Sequence, residues 1–134
     1  MIVVDTDVIA NFWLPTTRST AARGARRRDA QWAVPRLWRS EFCSVLRQYM
    51  LQADLAYAEA LWYATRAEHL MRRGEHEVSF ETVLKLVEQT KHSSYDCEYV
   101  ALARQLGVLL VTGDTDLASR FPNDAVLMED FVAA

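Results

Sequence analysis

The sequence contains few cysteines, glycines and prolines. Its 134 residues include two cysteines, three prolines and four glycines. Cys43 and Cys97 are too few for a disulfide framework and lack the spacing of a metal site, so we expect both thiols to be reduced. Scarce glycine and proline disfavour turn-rich sandwiches and barrels. The composition therefore favours a domain rich in helices.

Long apolar runs are also missing. No uncharged stretch approaches the roughly 20 residues that a membrane helix needs. Asp5 and Asp7 occupy the place where a signal peptide would be apolar, so we expect a cytoplasmic protein without one. The chain is 51% hydrophobic and 25% charged, which is ordinary globular composition. At this length we expect one domain over residues 1–134, with no need of a disulfide or structural zinc.

Charge is distributed unevenly along the chain. Residues 1–73 carry 11 Lys and Arg against 7 Asp and Glu, whereas residues 74–134 carry 4 against 11. Such asymmetry can indicate a nucleic-acid partner, but the net charge of −3 excludes a simple basic DNA-coating protein. A polyanion would need a local basic face and a means of neutralising the acidic part, such as a metal ion.

Short apolar runs alternate with longer amphipathic segments. The predicted strands are 1–4, 31–34, 77–79, 108–112 and 125–128. The predicted helices are a short one from about residue 6 to before residue 15, then 18–29, 37–52, 55–72, 80–91, 93–105 and 115–120. This alternation predicts an α/β fold with a mostly parallel sheet of about four or five strands, covered by helices on both faces.

Three acidic residues follow predicted strands. Asp5 ends the first strand, and Asp114 and Asp116 come just after the strand 108–112. Ligands of open α/β sheets bind at the carboxyl edge of the strands, so these acids are expected to share one edge. Each also has a simpler interpretation, because Asp5 and Asp114 could cap the helices that follow them.

Two further acids lie on predicted helices. At about 100° per residue, Glu41 falls inside the apolar arc of its helix, where an acid is rare unless it is paired or binds metal. Pairing with an arginine of the 18–28 segment would also explain it. Asp96 lies on the shoulder of its apolar arc, and its alternative interpretation is a capping box with Ser93. Glu98 is expected to face outward.

Acidic side chains gathered at one place repel one another, so some would have to take up protons. A hard divalent cation relieves this repulsion, because carboxylate and water oxygens are the ligands that Mg²⁺ prefers and that Mn²⁺ accepts. The pattern therefore predicts a Mg²⁺ or Mn²⁺ site. With one or two bound ions, such a site supports the metal-assisted chemistry of many nucleases.

Four segments of the chain have a characteristic order and spacing. They are VVDTDVIA (3–10), WRSEFCSVL (38–46), SSYDCEYVALA (93–103) and VTGDTDLA (111–118). Together they resemble the PIN-domain family, and within it the small VapC-type toxins of bacterial toxin–antitoxin pairs. The resemblance covers essentially the whole chain and implies a three-layer α/β/α domain with Mg²⁺- or Mn²⁺-dependent endoribonuclease activity.

The resemblance also implies roles for particular residues. The catalytic acids would be Asp5, Glu41, Asp96 and Asp114. The metal ligands would be Asp5, Asp96, Asp114 and Asp116. Thr6 and Thr112 match hydroxyl positions that help to order the site, whereas Asp7 and Glu98 depart from the usual pattern. Members are usually homodimers, held in check by a cognate antitoxin whose tail covers the active groove.

Five arginines lie within residues 18–28. As single residues they are typical of a solvated helix face, but as a group they could contact RNA phosphates or an acidic stretch of an antitoxin. Arg23, Arg26 and Arg27 are the candidates for such contact. The three histidines, His69, His76 and His92, have no ligand partners in sequence and are interpreted as incidental.

The sequence is also compatible with two other functions. Asp5-Thr6-Asp7 after a strand also resembles the opening of haloacid-dehalogenase-like phosphatases, with Asp5 as nucleophile and Lys85 or Lys91 as the required lysine. That interpretation leaves Glu41 and Asp96 unexplained. The other alternative is a PIN-like binding module that has lost turnover, and the intact set of acids argues against it.

Overall fold

The computed structural model describes residues 1–134, which form five strands and eight helices. The strands are β1 (Ile2–Val4), β2 (Trp32–Pro35), β3 (Glu75–His76), β4 (Leu110–Thr112) and β5 (Ala125–Leu127). The helices are α1 (Thr6–Trp13), α2 (Ser19–Arg28), α3 (Trp38–Gln52), α4 (Tyr57–Met71), α5 (Phe80–Thr90), α6 (Ser94–Leu106), α7 (Thr115–Arg120) and α8 (Met128–Ala133).

The strands form one sheet in the order β3-β2-β1-β4-β5, and every neighbouring pair is parallel. The chain passes from β1 towards one side of the sheet and later returns to the other side, where β4 pairs with β1. This crossover makes the β1–β4 boundary the point where the strand order reverses. The predicted three-layer α/β/α architecture is confirmed.

The strands separate two apolar clusters, one on each face of the sheet. In β1, Ile2 and Val4 belong to one cluster and Val3 to the other, because successive strand side chains point to opposite faces. The first cluster includes buried side chains of α1, α2, α3, α4 and α8, and the second includes side chains of α5, α6 and α7. Burial on both faces explains the continuous apolar character of these strands.

Two predicted elements differ from the structure. The strand predicted at 77–79 is wrong, because β3 consists of Glu75 and His76 and pairs with Val34 and Pro35 of β2. Backbone pairing at this edge does not need apolar side chains, so the composition gives no signal. Helix α8 was missed, because the last predicted strand, 125–128, was extended over Met128, where this helix begins, and no element was predicted beyond it.

Helix α8 is held by its contact with α2. A Cβ atom placed on Gly24 would lie 2.9 Å from Cγ1 of Val132, so glycine permits the close approach of the two helices. The guanidinium of Arg28 lies over the ring of Phe131 and donates a hydrogen bond to the carbonyl of Ala134. None of the eight helices has the length and hydrophobicity needed to span a lipid bilayer.

Candidate active site

A small polar cleft of about 70 Å³ opens at the carboxyl ends of β1 and β4. It is lined by five acids and two hydroxyl-bearing side chains, namely Asp5, Asp7, Glu41, Asp96, Asp114, Thr6 and Tyr99. This is the edge where the strand order reverses, which is the usual ligand position in open α/β sheets. The structure therefore brings together the four acids that the resemblance matched as catalytic.

The acids of the cleft lie at the amino ends of four helices. Asp5 is the N-cap residue of α1 and Asp114 that of α7. Asp7, Glu41 and Asp96 lie in the first turns of α1, α3 and α6. The helix dipole places partial positive charge at each of these ends, which partly offsets the repulsion between the carboxylates. Asp5 and Asp114 therefore both cap a helix and line the cleft.

Asp5 is the most deeply buried of the five acids, with 6% of its surface exposed. Its Oδ1 accepts hydrogen bonds from the backbone amides of Val8 (3.1 Å) and Gly113 (3.3 Å). Its Oδ2 accepts one from the hydroxyl of Thr112, a fully buried side chain. The predicted supporting residue Thr112 therefore lies against Asp5 and fixes the orientation of its carboxylate.

The loop after β4 packs closely against α1. A Cβ atom on Gly113 would lie only 2.6 Å from Cβ of Asp7, so no larger residue fits at this position. The hydroxyl of Thr112 accepts from the amide of Asp114 at 2.9 Å. The Oδ1 of Asp114 accepts from the amides of Asp116 and Leu117, and its other oxygen has no hydrogen-bond partner within the protein.

Glu41 is held by two hydroxyl groups. Its Oε1 accepts from the hydroxyl of Tyr99 at 2.6 Å and from that of Thr6 at 3.0 Å, and these two hydroxyls lie 2.8 Å apart. Its Oε2 makes no hydrogen bond within the protein. The arginine pairing considered for Glu41 is therefore wrong. Tyr99 was not among the predicted site residues, and the sequence signal that could have found it is its place on the apolar face of the helix, three residues after Asp96.

Asp96 is held by His92 rather than by a capping box. The Nε2 atom of His92 lies 2.9 Å from Oδ2 of Asp96, and the amide bonded to the Ser93 hydroxyl is that of Tyr95. The His92 side chain is nearly buried and packs edge-on against Phe121. Its interpretation as incidental is wrong, because the i, i+4 spacing within the turn that leads into α6 brings the ring to the carboxylate.

Burial and mutual repulsion disfavour the charged forms of the cleft acids. Burial, followed by the charge of Asp7, raises the pKa of Asp5 to about 7. Burial and the charge of Asp114 raise the pKa of Asp7, which the Arg18 guanidinium opposes. Burial and the charge of Glu41 raise the pKa of Glu98, so Glu98 is coupled to the cleft although it does not line it.

Arg18 lies beside the cleft and is already bound. It forms a two-pronged ion pair with Glu129 of α8 (2.7 and 3.1 Å) and donates to the carbonyl of Gly113 at 2.9 Å. Helix α8 thus fixes the one arginine of the 18–28 segment that moderates the acidity of the cleft. Sequence reasoning missed Glu129, because it lies 111 residues away from its partner.

Several predicted site residues lie elsewhere. Asp116 does not line the cleft, and its exposed carboxylate pairs with Arg120 at 3.0 Å, so its role as a metal ligand stays a prediction. Arg26 lies over the ring of Trp32, the first residue of β2, at 5.3 Å. Arg26 is therefore at the amino edge of the strands, opposite the cleft. Arg23 and Arg27 are exposed on α2.

The donor set of the cleft fits a hard divalent cation. Every side chain that lines the cleft offers oxygen, and none offers nitrogen or sulfur. Asp96, Asp114 and Glu41 each retain a carboxylate oxygen without a protein partner. No three acidic, histidine or cysteine side chains form a ready-made cage. Mg²⁺ does not require one, because it keeps several waters and is usually bound by one or two carboxylates.

The phosphatase alternative finds no support in this geometry. Neither Lys85 nor Lys91 lines the cleft. Glu41 and Asp96, which this alternative leaves unexplained, both line the cleft.

Comparisons with known proteins agree with the fold. The crystal structure of PAE2754 from Pyrobaculum aerophilum is similar, with a TM-score of 0.78 and 17% identity over 98% of this chain and 93% of that one. A search of curated proteins found no match. Residues 2–121 match the PIN domain family, whose members are generally nucleases. The chain, with its acidic cleft at the β1–β4 edge, belongs to the PIN domain family.

Proposed function

We propose that this protein is a metal-dependent endoribonuclease that hydrolyses RNA phosphodiester bonds in the acidic cleft. The observation that carries the proposal is the convergence of five carboxylates from four helix amino ends on one cleft. Membership of a family of nucleases supports the class of reaction. The preference for RNA rests on the likeness of four segments to VapC-type toxins.

We assign the cleft residues to distinct tasks. Asp5, Asp96 and Asp114 would hold one or two Mg²⁺ or Mn²⁺ ions, directly or through water. When bound, such an ion lowers the pKa of a coordinated water and stabilises the leaving oxygen. Glu41 orients the attacking water through its unpartnered Oε2, while Tyr99 and Thr6 fix its Oε1. No side chain of the protein needs to become covalently attached to the substrate.

Labelled RNA incubated with the purified protein, free of any partner, tests this function. We expect cleavage at internal positions with Mg²⁺ or Mn²⁺ and none with EDTA. Cleavage that is unaffected by EDTA would contradict the metal dependence. Intact RNA in the presence of either ion would favour the binding module that has lost turnover. Cleavage of DNA in preference to RNA would contradict the proposed substrate.

We also propose that the chain is the toxin of a type II toxin–antitoxin pair. The same four segments support this, because they resemble the small VapC-type toxins. The net negative cleft implies that an antitoxin tail entering it would contribute basic groups. The exposed Arg23 and Arg27 remain candidates for contact with RNA or with an acidic stretch of the antitoxin.

A homodimer is proposed from the same resemblance, and helix α5 offers a surface for it. Phe80 is 87% exposed and Leu84 61%, and their i, i+4 spacing places them on one face. We expect a Phe80→Glu, Leu84→Glu double variant to lower the molar mass measured by light scattering to that of a monomer, because both charges would have to be buried.

The exposed Lys85 on the same helix provides the control, since Lys85→Glu adds negative charge beside the proposed contact without removing an apolar side chain. We expect this variant to remain dimeric. An unchanged mass in the double variant would exclude this face of α5 as the dimer contact, and a monomeric wild type would contradict the dimer itself.

Tyr99→Phe is expected to lower the rate of RNA cleavage by about 10- to 100-fold, the usual cost of losing a group that orients a functional carboxylate. The change removes the hydroxyl that donates to Glu41 at 2.6 Å and leaves Thr6 as its only partner. Burial and the charge of Glu41 raise the pKa of Tyr99, so the wild-type hydroxyl keeps its proton as a donor. Single-turnover cleavage kinetics measure the effect.

Tyr95→Phe is the matched control, because Tyr95 lies one turn earlier on α6 and its side chain is 60% exposed. We expect its cleavage rate to equal that of the wild type. Equal rates for both variants would show that the Tyr99 hydroxyl does not position Glu41 for the reaction.

A further inference from the structure

A second cavity lies at the amino ends of β1 and β2, the edge of the sheet opposite the acidic cleft. Its volume is about 280 Å³, and it shares no lining residue with the cleft. The residues around it include those that begin β1 and β2 and those that follow the end of α4. The side chains that matter for its chemistry are Arg26, Gln31, Trp32, Arg73 and His76.

The charge of this cavity differs from that of the whole chain. No acidic side chain lines it, although the protein carries a net charge of −3. Arg26 and Arg73 form no ion pair, whereas Arg18, Arg39, Arg104 and Arg120 each pair with a carboxylate. The amino group of Met1 also borders the cavity, but its charge is balanced by Asp29 at 2.7 Å. The cavity therefore carries about two uncompensated positive charges.

Two buried ring nitrogens of the cavity walls have no hydrogen-bond partner within the protein. They are Nε1 of Trp32, a residue that is 5% exposed, and Nε2 of His76, but neither atom has surface that a ligand can reach. The donors open to a ligand are the guanidinium groups of Arg26 and Arg73 and the Gln31 amide. Arg26 lies over the Trp32 ring and donates one hydrogen bond to the carbonyl of Ala30 at 2.6 Å, which leaves its other N–H groups for a ligand. A ligand rich in acceptor oxygens would be held by these donors.

A phosphate group with a free end matches this cavity better than a carboxylate. A phosphomonoester carries a charge of about −1.5 to −2 and three acceptor oxygens, whereas a carboxylate carries one charge and two oxygens. Arginine guanidinium groups bind phosphate through paired hydrogen bonds. The apolar wall that includes Leu70 and Ala33 leaves room for the group that bears the phosphate.

We propose that this cavity, between Arg26, Trp32, Arg73 and His76, is a binding site for a terminal phosphate group. Inorganic phosphate, a mononucleotide and the 5′ end of an RNA strand all carry this chemistry. The site is separate from the acidic cleft, so it does not depend on nuclease activity.

The test follows the indole N–H signal of Trp32 by NMR, in the presence of EDTA so that the acidic cleft takes no part. The signal is identified by its loss in Trp32→Phe. The probes are inorganic phosphate, adenosine 5′-monophosphate, and one short RNA with either a 5′-phosphate or a 5′-hydroxyl. We expect a saturable shift with every phosphorylated probe and a much weaker one with the 5′-hydroxyl RNA.

Arg73→Gln is expected to weaken binding by about 10- to 100-fold, as the loss of a hydrogen bond to a charged group does. Arg73 is exposed, so the variant should fold. Arg72→Gln is the control, because Arg72 is its exposed neighbour and does not line the cavity. We expect its affinity to stay within about twofold of the wild type, well below the tenfold that corresponds to 1.4 kcal/mol.

The relative affinities of the probes and of the two variants distinguish the possible ligands. Tighter binding of the 5′-phosphorylated RNA than of the mononucleotide assigns the site to RNA ends, and equal binding assigns it to small phosphorylated molecules. The absence of a saturable shift with all probes overturns the proposal. Equal losses in Arg72→Gln and Arg73→Gln, or equal binding of the two RNA forms, also overturn it, because they indicate a general attraction to polyanions.

Discussion

Replacing Asp5 with asparagine is expected to lower the rate of RNA cleavage by more than about a hundredfold. Losing a group that merely supports a metal ligand costs 10- to 100-fold, so losing a ligand should cost more. Asparagine has the same shape, and its amide oxygen can keep the hydrogen bonds from Val8 and Gly113. The change therefore removes the negative charge without removing the cap of α1.

The folded state of this variant can be checked independently. Since a buried charge beside Asp7 is removed, we expect the melting temperature of Asp5→Asn without divalent cations to equal or exceed that of the wild type. Induced expression in a bacterial host offers a second measurement, because the proposed toxin should arrest growth only in its active form. Cleavage by Asp5→Asn at the wild-type rate would refute the assignment of Asp5.

Asp116→Asn is the matched control for Asp5→Asn. Both changes remove one carboxylate charge close to the sheet edge, but the Asp116 carboxylate is exposed and pairs with Arg120 outside the cleft. We expect its activity to stay close to that of the wild type. A loss of cleavage rate as large as that of Asp5→Asn would show that Asp116 takes part in the reaction.

The second large effect is expected on stability rather than on rate. Mg²⁺ or Mn²⁺ that binds only the folded protein adds about 2.7 kcal/mol to the free energy of unfolding at a concentration 100 times its Kd. For a chain of this length, that corresponds to a rise in Tm on the order of 10 °C. Differential scanning calorimetry with and without the ion measures the rise and does not depend on any substrate.

Variants of the cleft distinguish specific binding from a general salt effect. Asp96→Asn should show a much smaller rise, because it removes the charge of a carboxylate whose second oxygen is free of protein contacts. Asp116→Asn should show the full rise. If the wild type shows no rise, or if Asp96→Asn gains as much as the wild type, then Asp96 is not a ligand of the ion.

Local sequence was sufficient for most elements of the fold. The apolar runs that became β1, β2, β4 and β5 were predicted within a few residues, because buried parallel strands are apolar on both faces. Helices of three turns or more were found by their periodicity. The two failures, β3 and α8, are short elements whose stability comes from a neighbour, β2 for the strand and α2 for the helix.

The candidate site was predictable where an acid occupied a position defined by its own element. Asp5 and Asp114 follow strands, and Glu41 interrupts an apolar face, so their positions along the chain already distinguish them. Asp116 shows the limit of this reasoning, because it is only two residues beyond Asp114 and yet its carboxylate pairs with Arg120 outside the cleft. Side-chain direction within a first helical turn depends on which neighbouring groups are in reach.

The sequence alone determined most of the strands and helices along the chain and the chemical character of one sheet edge, because hydrophobic periodicity and strand ends are properties of short segments. Only the tertiary structure decided which oxygen of each acid is occupied, that Tyr99 and His92 hold Glu41 and Asp96, and that Arg18 and Arg26 lie at opposite edges. These contacts join side chains from separate elements, some more than ninety residues apart, and they exist only after the two faces of the sheet have been covered.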